Sequence, residues 1–393
     1  MSTETDEKFA RIMNAANAAL RAKDAANALA LLSEAQAVDP KQPDVHFNKS
    51  VAYELMNDPN AAMAAIDAAL EIQPYHLPAK LAKARLLEES GRNQAAAVIY
   101  RSALTFAPEE SRLPPPLAKS VQHAHAAVEA DNARLRAYIV EQVDGIYSKY
   151  GRSETKRFDE CVQIFTGAGR PYFPQPTLLY FPALPPVSYF ERSLFPWIEE
   201  FEASTEDIRR DLRSILNSPA ADEFSPYINY PPGAPVNQWG QLNKSKRWSS
   251  YFFWKDGSRN EDAHQRAPKT GAAIGRAPLF DAPGFGPAAF FSSLAAHSHI
   301  PPHVGSSNVR SIVHLPLELP GPAWFRVGNE RRDWKIGEAF VFDDSIDHEA
   351  MNEADATRTI LIVDIWNPYL TQPERELVSV LLASSQHYRR NVR

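Results

Sequence analysis

Two hydrophobic patterns follow one another along the chain. Between residues 8 and 108, small or helix-ending residues return every 34 positions: Pro40, Pro74 and Pro108; Ala28, Ala62 and Ala96; Ala35, Ala69 and Ala103; Ala16, Ser50 and Ala84. This register predicts pairs of antiparallel helices, because helices approach closely only where small residues sit at their crossing and proline cannot continue a helical hydrogen-bond ladder. Tyr53, Ile66, Leu87 and Tyr100 fill the larger positions between them. The run Pro114-Pro115-Pro116 favours extended backbone and closes the array. Apolar residues then resume helical spacing over 117–147 (Val121, Ala124, Val128, Leu135, Tyr138, Ile139, Val143), which predicts one long helix or two. Beyond Gly151 alanine gives way to aromatics and prolines, with a helix predicted over 198–217. Strands are predicted at 248–254, 288–294, 309–317, 324–327, 339–342 and 357–366. Short strands joined by Gly/Pro turns point to a β-sandwich or jelly-roll barrel.

The 34-residue register resembles the tetratricopeptide repeat. The expected organisation is a multidomain α + β chain: a three-repeat tetratricopeptide solenoid over 1–112, a helical cap or linker over 113–150, and a β-rich domain over 151–393. Such arrays present a groove to a peptide or partner protein, here formed by positions such as His46, Asn48, Lys49, Lys80 and Lys83; a spacer or dimerisation role is the alternative.

Composition narrows the function. With 42 basic against 48 acidic residues and a net charge of −6, the chain does not look like a nucleic-acid binder. It shows no apolar run long enough to span a membrane and no basic signal-peptide start. One cysteine, Cys161, excludes an internal disulfide and reads as a small buried hydrophobe. A soluble cytoplasmic protein is expected.

The chemistry concentrates between Pro301 and Arg358. His303 and His348 lie on separate β-like segments, and Arg358 follows the second by ten residues. Neutral imidazole binds iron, copper, nickel and zinc, and iron used for oxygen chemistry must keep coordination positions open. An arginine nearby suits an anionic co-substrate. His297 and His299 offer a second pair, but without Cys or Glu at zinc spacing they read as pocket or supporting residues. Asp343, Asp344 and Asp347 are candidates for a third ligand, yet Asp at a turn entering a strand commonly serves backbone hydrogen bonds. His123 and His125 read as surface residues.

His303-Val304-Gly305, Asn308, Arg310, His314-Leu315-Pro316-Leu317, Gly337, Phe342-Asp343-Asp344-Ser345, His348, Arg358 and Val363-Asp364-Ile365-Trp366-Asn367-Pro368 together resemble the aspartyl/asparaginyl β-hydroxylases. The resemblance implies a double-stranded β-helix (jelly-roll, cupin-like) fold and an Fe(II)/2-oxoglutarate-dependent dioxygenase. It implies His303 and His348 as iron ligands, Arg358 with Ser292 and His314 at 2-oxoglutarate, and Gly305 at the ligand position that other non-haem iron sites fill with a carboxylate. Arg310, His299 and Arg326 are expected at the substrate or behind the ligands. Ile312 departs from the pattern, standing where well-studied members carry a second arginine. The implied reaction is hydroxylation of an unactivated carbon, foremost the β-carbon of Asp or Asn in a peptide or protein recruited by the repeats. A hydroxylase or halogenase of a small molecule or free amino acid, and a non-catalytic scaffold with a degenerate barrel, are the alternatives.

Overall fold

The computed structural model of the chain describes residues 3–390, so the outer limits expected at 1 and 393 lie outside it. The chain divides into two compact units between Gly169 and Arg170. The first holds six helices in pairs: α1 (Thr3–Arg21), α2 (Ala25–Val38), α3 (Pro43–Leu55), α4 (Pro59–Ile72), α5 (Leu77–Glu89) and α6 (Asn93–Leu104). Asp24 and Asp58 cap α2 and α4 by accepting from the Asn27 and Ala61 amides. Prolines open α3, α4 and α5, where the backbone N–H has no helical partner to lose. Ala16, Ala28, Ala35, Ala62, Ala69, Ala84, Ala96 and Ala103 are all buried. Ser50 shares their place and stays satisfied by donating to the Phe47 carbonyl at 2.6 Å.

The repeat register is therefore a packing register. Ala69→Leu is expected to cost about 1–3 kcal/mol by overfilling the crossing, whereas the exposed Ala64→Leu should stay within about 0.5 kcal/mol. Thermal unfolding of the full chain, followed by circular dichroism, checks this. The expected groove residues reach between helices: Lys49 to Gln36 (2.6 Å), Lys80 to Ser102 (2.7 Å), Lys83 to Asp67 (2.6 Å) and Asn48 to Asn17 (2.9 Å).

A single helix, α7 (Pro115–Tyr150), follows, with Pro115 and Pro116 in its first turn. Those prolines begin the helix instead of excluding it, because first-turn N–H groups need no helical acceptor. Gly151, at φ 83°, reverses the chain into α8 (Arg152–Phe165). Tyr147 donates to Asp159 at 2.5 Å and Arg136 to Thr166 at 3.0 Å, so α8 packs with α7 in the first unit. The compositional shift at Gly151 thus precedes the structural boundary, which falls after Gly169. Cys161 is exposed, contrary to expectation; its neighbour Val162 takes the buried position on α8. His125 is exposed, and His123, also exposed, lies 2.7 Å from Glu88 and ties α7 to α5.

In the second unit α9 (Ile198–Ala203) and α10 (Thr205–Leu216) divide at Ser204 the helix expected over 198–217. Next come β1 (Ser225–Pro226), β2 (Trp248–Lys255), β3 (Ser258–Arg259), α11 (Glu261–Arg266) and α12 (Pro268–Ile274). The remaining strands are β4 (Ala289–Leu294), β5 (Ser298–His303), β6 (Arg310–Glu318), β7 (Ala323–Val327), β8 (Glu330–Asp333), β9 (Phe340–Phe342), β10 (His348–Asn352) and β11 (Arg358–Trp366), before α13 (Gln372–Arg390). Two antiparallel sheets result. The larger runs β1-β2-β4-β11-β6-β9 with β3 on β2, and the smaller runs β5-β10-β7-β8.

Alternation along each strand sorts the side chains. Phe253, Phe291, Val313, Leu315, Leu361 and Val363 of the larger sheet pack under Phe201, Ile208, Leu212 and Ile274 of the covering helices. Their neighbours Phe290, Ile312, Phe342, Ile360 and Ile362 face the other way and meet Ile300, Phe325, Val327 and Ala350 of the smaller sheet. The central strand β11 is buried along its whole length, which explains the apolar run Ile360–Val363 at its centre. The sequence pattern predicts no strand range for β1, β3, β5, β8 or β10, although it sets His303 and His348 on β-like segments. β5 contains Pro301 and Pro302, which a sheet accepts only at an edge, where β5 lies. β8, Glu-Arg-Arg-Asp, is the opposite, solvated edge. β10 is held by pairing on both sides.

Candidate active site

Pairing of β5 with β10 sets His303 directly opposite His348, with ring centroids 4.1 Å apart. His303 Nδ1 lies 2.8 Å from the Pro301 carbonyl and His348 Nδ1 2.9 Å from that of Ile346. A carbonyl only accepts, so each Nδ1 carries the proton and each Nε2 keeps a lone pair. Burial, with His348 adding to it, pushes the His303 imidazole down to about 3, and burial pushes His348 down to about 4. Both rings are neutral near pH 7, the form a metal requires. Trp239 and Trp248 wall the pair, 5.0 and 6.4 Å from the His303 ring, and Phe325 and Phe342 back His348.

A Cβ added to Gly305 would meet Asp344 Oδ2 at 2.0 Å, so the Asp344 carboxylate already fills the space a side chain there would need. Asp344 is not free to move. Its Oδ2 accepts from Arg310 at 2.8 Å, and the other arm of Arg310 donates to Asp364 at 2.9 Å. Asp344 Oδ1 is buried without a partner. Burial raises the Asp364 carboxyl against the pull of Arg310. Asp343 accepts from the Ser345 amide (2.9 Å) and hydroxyl (2.6 Å), the backbone role expected of it, while burial pushes its carboxyl up to about 7. Among the described residues no group of three or more His, Cys, Asp or Glu is arranged to hold a metal. The candidate donor set is two imidazoles.

The far end of the interior gathers Arg358, Ser292 and His314. Arg358 is among the largest fully buried side chains. One arm donates to the Ser292 carbonyl at 3.1 Å, the guanidinium lies 4.6 Å over the Trp334 ring, and Nε has no partner. No carboxylate bridges it among the described residues, and burial alone pulls it down to about 9. Ser292 Oγ accepts from Trp248 Nε1 at 3.1 Å. His314 sits among Phe325, Phe342 and Trp334, its Nδ1 buried and unpartnered, and burial followed by the Arg358 charge lowers it well below the ordinary imidazole range. A buried cation without an anion is costly, so this end of the interior is suited to an anionic ligand.

Two expected residues lie elsewhere. Arg326 and His299 occupy the alternate, outward positions of β7 and β5, where Arg326 pairs with Asp347 (2.8 Å) and Glu349, and His299 lies 2.7 Å from Glu349. Alternation sets Arg326 opposite the inward Phe325 and Val327 and His299 opposite the inward Ile300, and an irregularity in the β5–β10 register between Ala350 and His348 brings His303 back inside four residues after His299. Arg310 does reach the histidine end, but as an ion-pair partner. The reading from residues missed Trp239, Trp248 and Trp334; an indole among β-forming residues gives no sign of which face it takes.

Residues 202–368 match the family model described as Aspartyl/Asparaginyl beta-hydroxylase, and residues 43–76 match Tetratricopeptide repeat. The chain is 36% identical over 198 residues to the Aspartyl/asparaginyl beta-hydroxylase of Homo sapiens, covering 48% of this chain and 26% of that protein. It is 30% identical over 198 residues to the Ornithine lipid ester-linked acyl 2-hydroxylase of Rhizobium tropici, covering 49% and 63%. It is 26% identical over 219 residues to Aspartate beta-hydroxylase domain-containing protein 2 of Homo sapiens, covering 54% and 56%. The chain spans less than two thirds of each of these relatives. No helix among the described residues is long and apolar enough to cross a membrane.

Proposed function

We propose, from the premise that residues 202–368 form a domain of the aspartyl/asparaginyl β-hydroxylase family, that the chain is an Fe(II)/2-oxoglutarate-dependent dioxygenase acting on the β-carbon of Asp or Asn in a peptide or protein. One observation carries the reading. Two neutral imidazoles with free Nε2 atoms stand at one end of the β-sandwich interior, and a buried guanidinium without a counter-anion stands at the other. His303 and His348 would hold the iron. Arg358, with Ser292 and His314 beside it, would take the distal carboxylate of 2-oxoglutarate, a pairing suited to the guanidinium fork. Bound there, the metal and 2-oxoglutarate supply oxygen activation, with succinate and CO2 as co-products.

The chain's own residues orient and shield. The Nδ1–carbonyl bonds fix each imidazole's tautomer and rotation, and the tryptophans exclude water around the histidines. Chloride at the open ligand position would sit against the Asp344 carboxylate, which disfavours the halogenase reading. The repeats would present the polypeptide, and a reducing cytoplasm suits a chain with one cysteine.

Anaerobic titration with Fe(II) and 2-oxoglutarate should develop a visible metal-to-ligand charge-transfer band. Peptide pools added in air should then drive succinate formation. Folded protein that gives no band would favour the scaffold reading instead.

A further inference from the structure

We infer that the side chain this site oxidises is uncharged: an asparagine carboxamide, with aspartate discriminated against. The inference rests on the reading above and names its substrate class more narrowly.

It starts from the charges that face the interior at the histidine end. Arg310 has a carboxylate on each arm, Asp344 at 2.8 Å and Asp364 at 2.9 Å. Arg326 faces outward and is bridged to Asp347 and Glu349. The inward position of β6 between Arg310 and His314 is Ile312, buried and packed with Phe290, Phe325 and Phe342. With Nδ1–H given to a carbonyl and Nε2 to the metal, the imidazoles add no charge. Among the described residues, no inward cation at that end lacks a carboxylate. Arg358, which does lack one, lies at the other end and is taken by the co-substrate.

The loaded site then has no excess positive charge, and Asp343, whose buried carboxyl is pushed up to about 7, can only add to the negative side. Fe(II) and the 2-oxoglutarate dianion cancel, and Arg358 and Arg310 together match Asp344 and Asp364. A substrate carboxylate would add one uncompensated negative charge to a closed interior beside Asp344, where desolvation and like-charge repulsion both oppose it. A carboxamide adds none. It also has what the site lacks: Asp344 Oδ1, buried and without a donor, can accept an amide N–H, whereas a carboxylate has no proton to offer. Ile312 is the specificity position, since a cation there would restore the missing partner.

The test uses the full chain and two peptide libraries with identical randomised flanks, differing only in a central Asn or Asp. In anaerobic Fe(II)/2-oxoglutarate complex, the Asn library should perturb the charge-transfer band at concentrations where the Asp library does not. In air the central Asn should gain one oxygen by mass, with kcat/KM about tenfold or more above Asp. Ile312→Arg should move that ratio toward Asp by a similar factor. Equal modification of both libraries, or a folded I312R with an unchanged ratio, overturns the inference while leaving the cofactor reading standing. A band with neither library modified overturns it as well. The absence of any band removes the cofactor reading and the inference together. Should I312R not fold, the wild-type ratio and the band perturbation decide.

Discussion

Arg358→Met should weaken 2-oxoglutarate binding at least about 30-fold and, in the same protein, raise thermal stability. The two effects have one cause. Arg358 is fully buried, rests on Trp334 and has no carboxylate partner among the described residues. Without ligand it carries the desolvation cost of a charge and gets none of the compensation of an ion pair. Replacing such a charge with an apolar chain of similar volume is neutral or stabilising by about 1–4 kcal/mol, which for a unit of this size is a rise of up to about 2–16 °C. Losing the guanidinium removes the partner of a buried carboxylate, about 2–5 kcal/mol, or roughly 30-fold to several thousandfold in Kd.

The pH dependence gives an independent check. A base whose folded pKa lies at about 9, below its ordinary 12.5, binds fewer protons folded than unfolded between those values, so this group's contribution to stability rises with pH across the window. The stability advantage of R358M should be constant below about pH 9 and shrink above it. Differential scanning calorimetry with and without 2-oxoglutarate reads all three effects: ligand should raise Tm in the wild type and not in the variant. A variant less stable than wild type, or one still stabilised by 2-oxoglutarate, would show that Arg358 is a structural residue.

Gly305→Asp should weaken iron binding although it completes the common 2-His-1-carboxylate ligand set. On ligand count alone the added carboxylate tightens the site. The structure gives the opposite sign, because the new Cβ would fall 2.0 Å from Asp344 Oδ2. Asp344 cannot yield without breaking its bridge to Arg310 and, through it, the contact with Asp364. Overpacking costs about 1–3 kcal/mol, and two carboxylates at contact add a like-charge term of about 4 kcal/mol at an effective dielectric near 20. The expected result is a destabilised domain, by about 3 kcal/mol or more, with iron affinity reduced at least about tenfold. Gly305→Ala separates the terms, since it keeps the clash and drops the charge. Tighter iron binding by G305D, measured by anaerobic titration, would mean that Asp344 does not occupy the ligand's space.

The glycine at 305 therefore looks different from the two directions. In the sequence it is a missing carboxylate. In the folded chain a carboxylate is present at that place, delivered by Asp344 from the turn before β10 and held by Arg310. Only folding brings together positions so far apart in the chain, and no local pattern around either residue announces their meeting.

The same division runs through the whole protein. The alanine register could be read from the chain because a repeat crossing is a short-range demand: a small residue is required wherever two neighbouring helices touch, and all eight alanines of the register are buried. The strands buried on both faces were legible for a similar reason, since β11 can be nothing but apolar along most of its length. His303, His348 and Arg358 stood out by resemblance. The extents of the edge strands were not legible, even where His303 was read on a β-like segment, because Pro301-Pro302 and Glu-Arg-Arg-Asp are tolerated where one side of the ladder is open. Nor could the chain say which way Arg326 and Arg310 point. One lies on the outer face and the other faces inward, and which face a strand residue takes depends on register against partners distant in sequence. Local packing needs write themselves into composition and spacing; the balance of charge inside the site is a sum over strands that only pairing assembles.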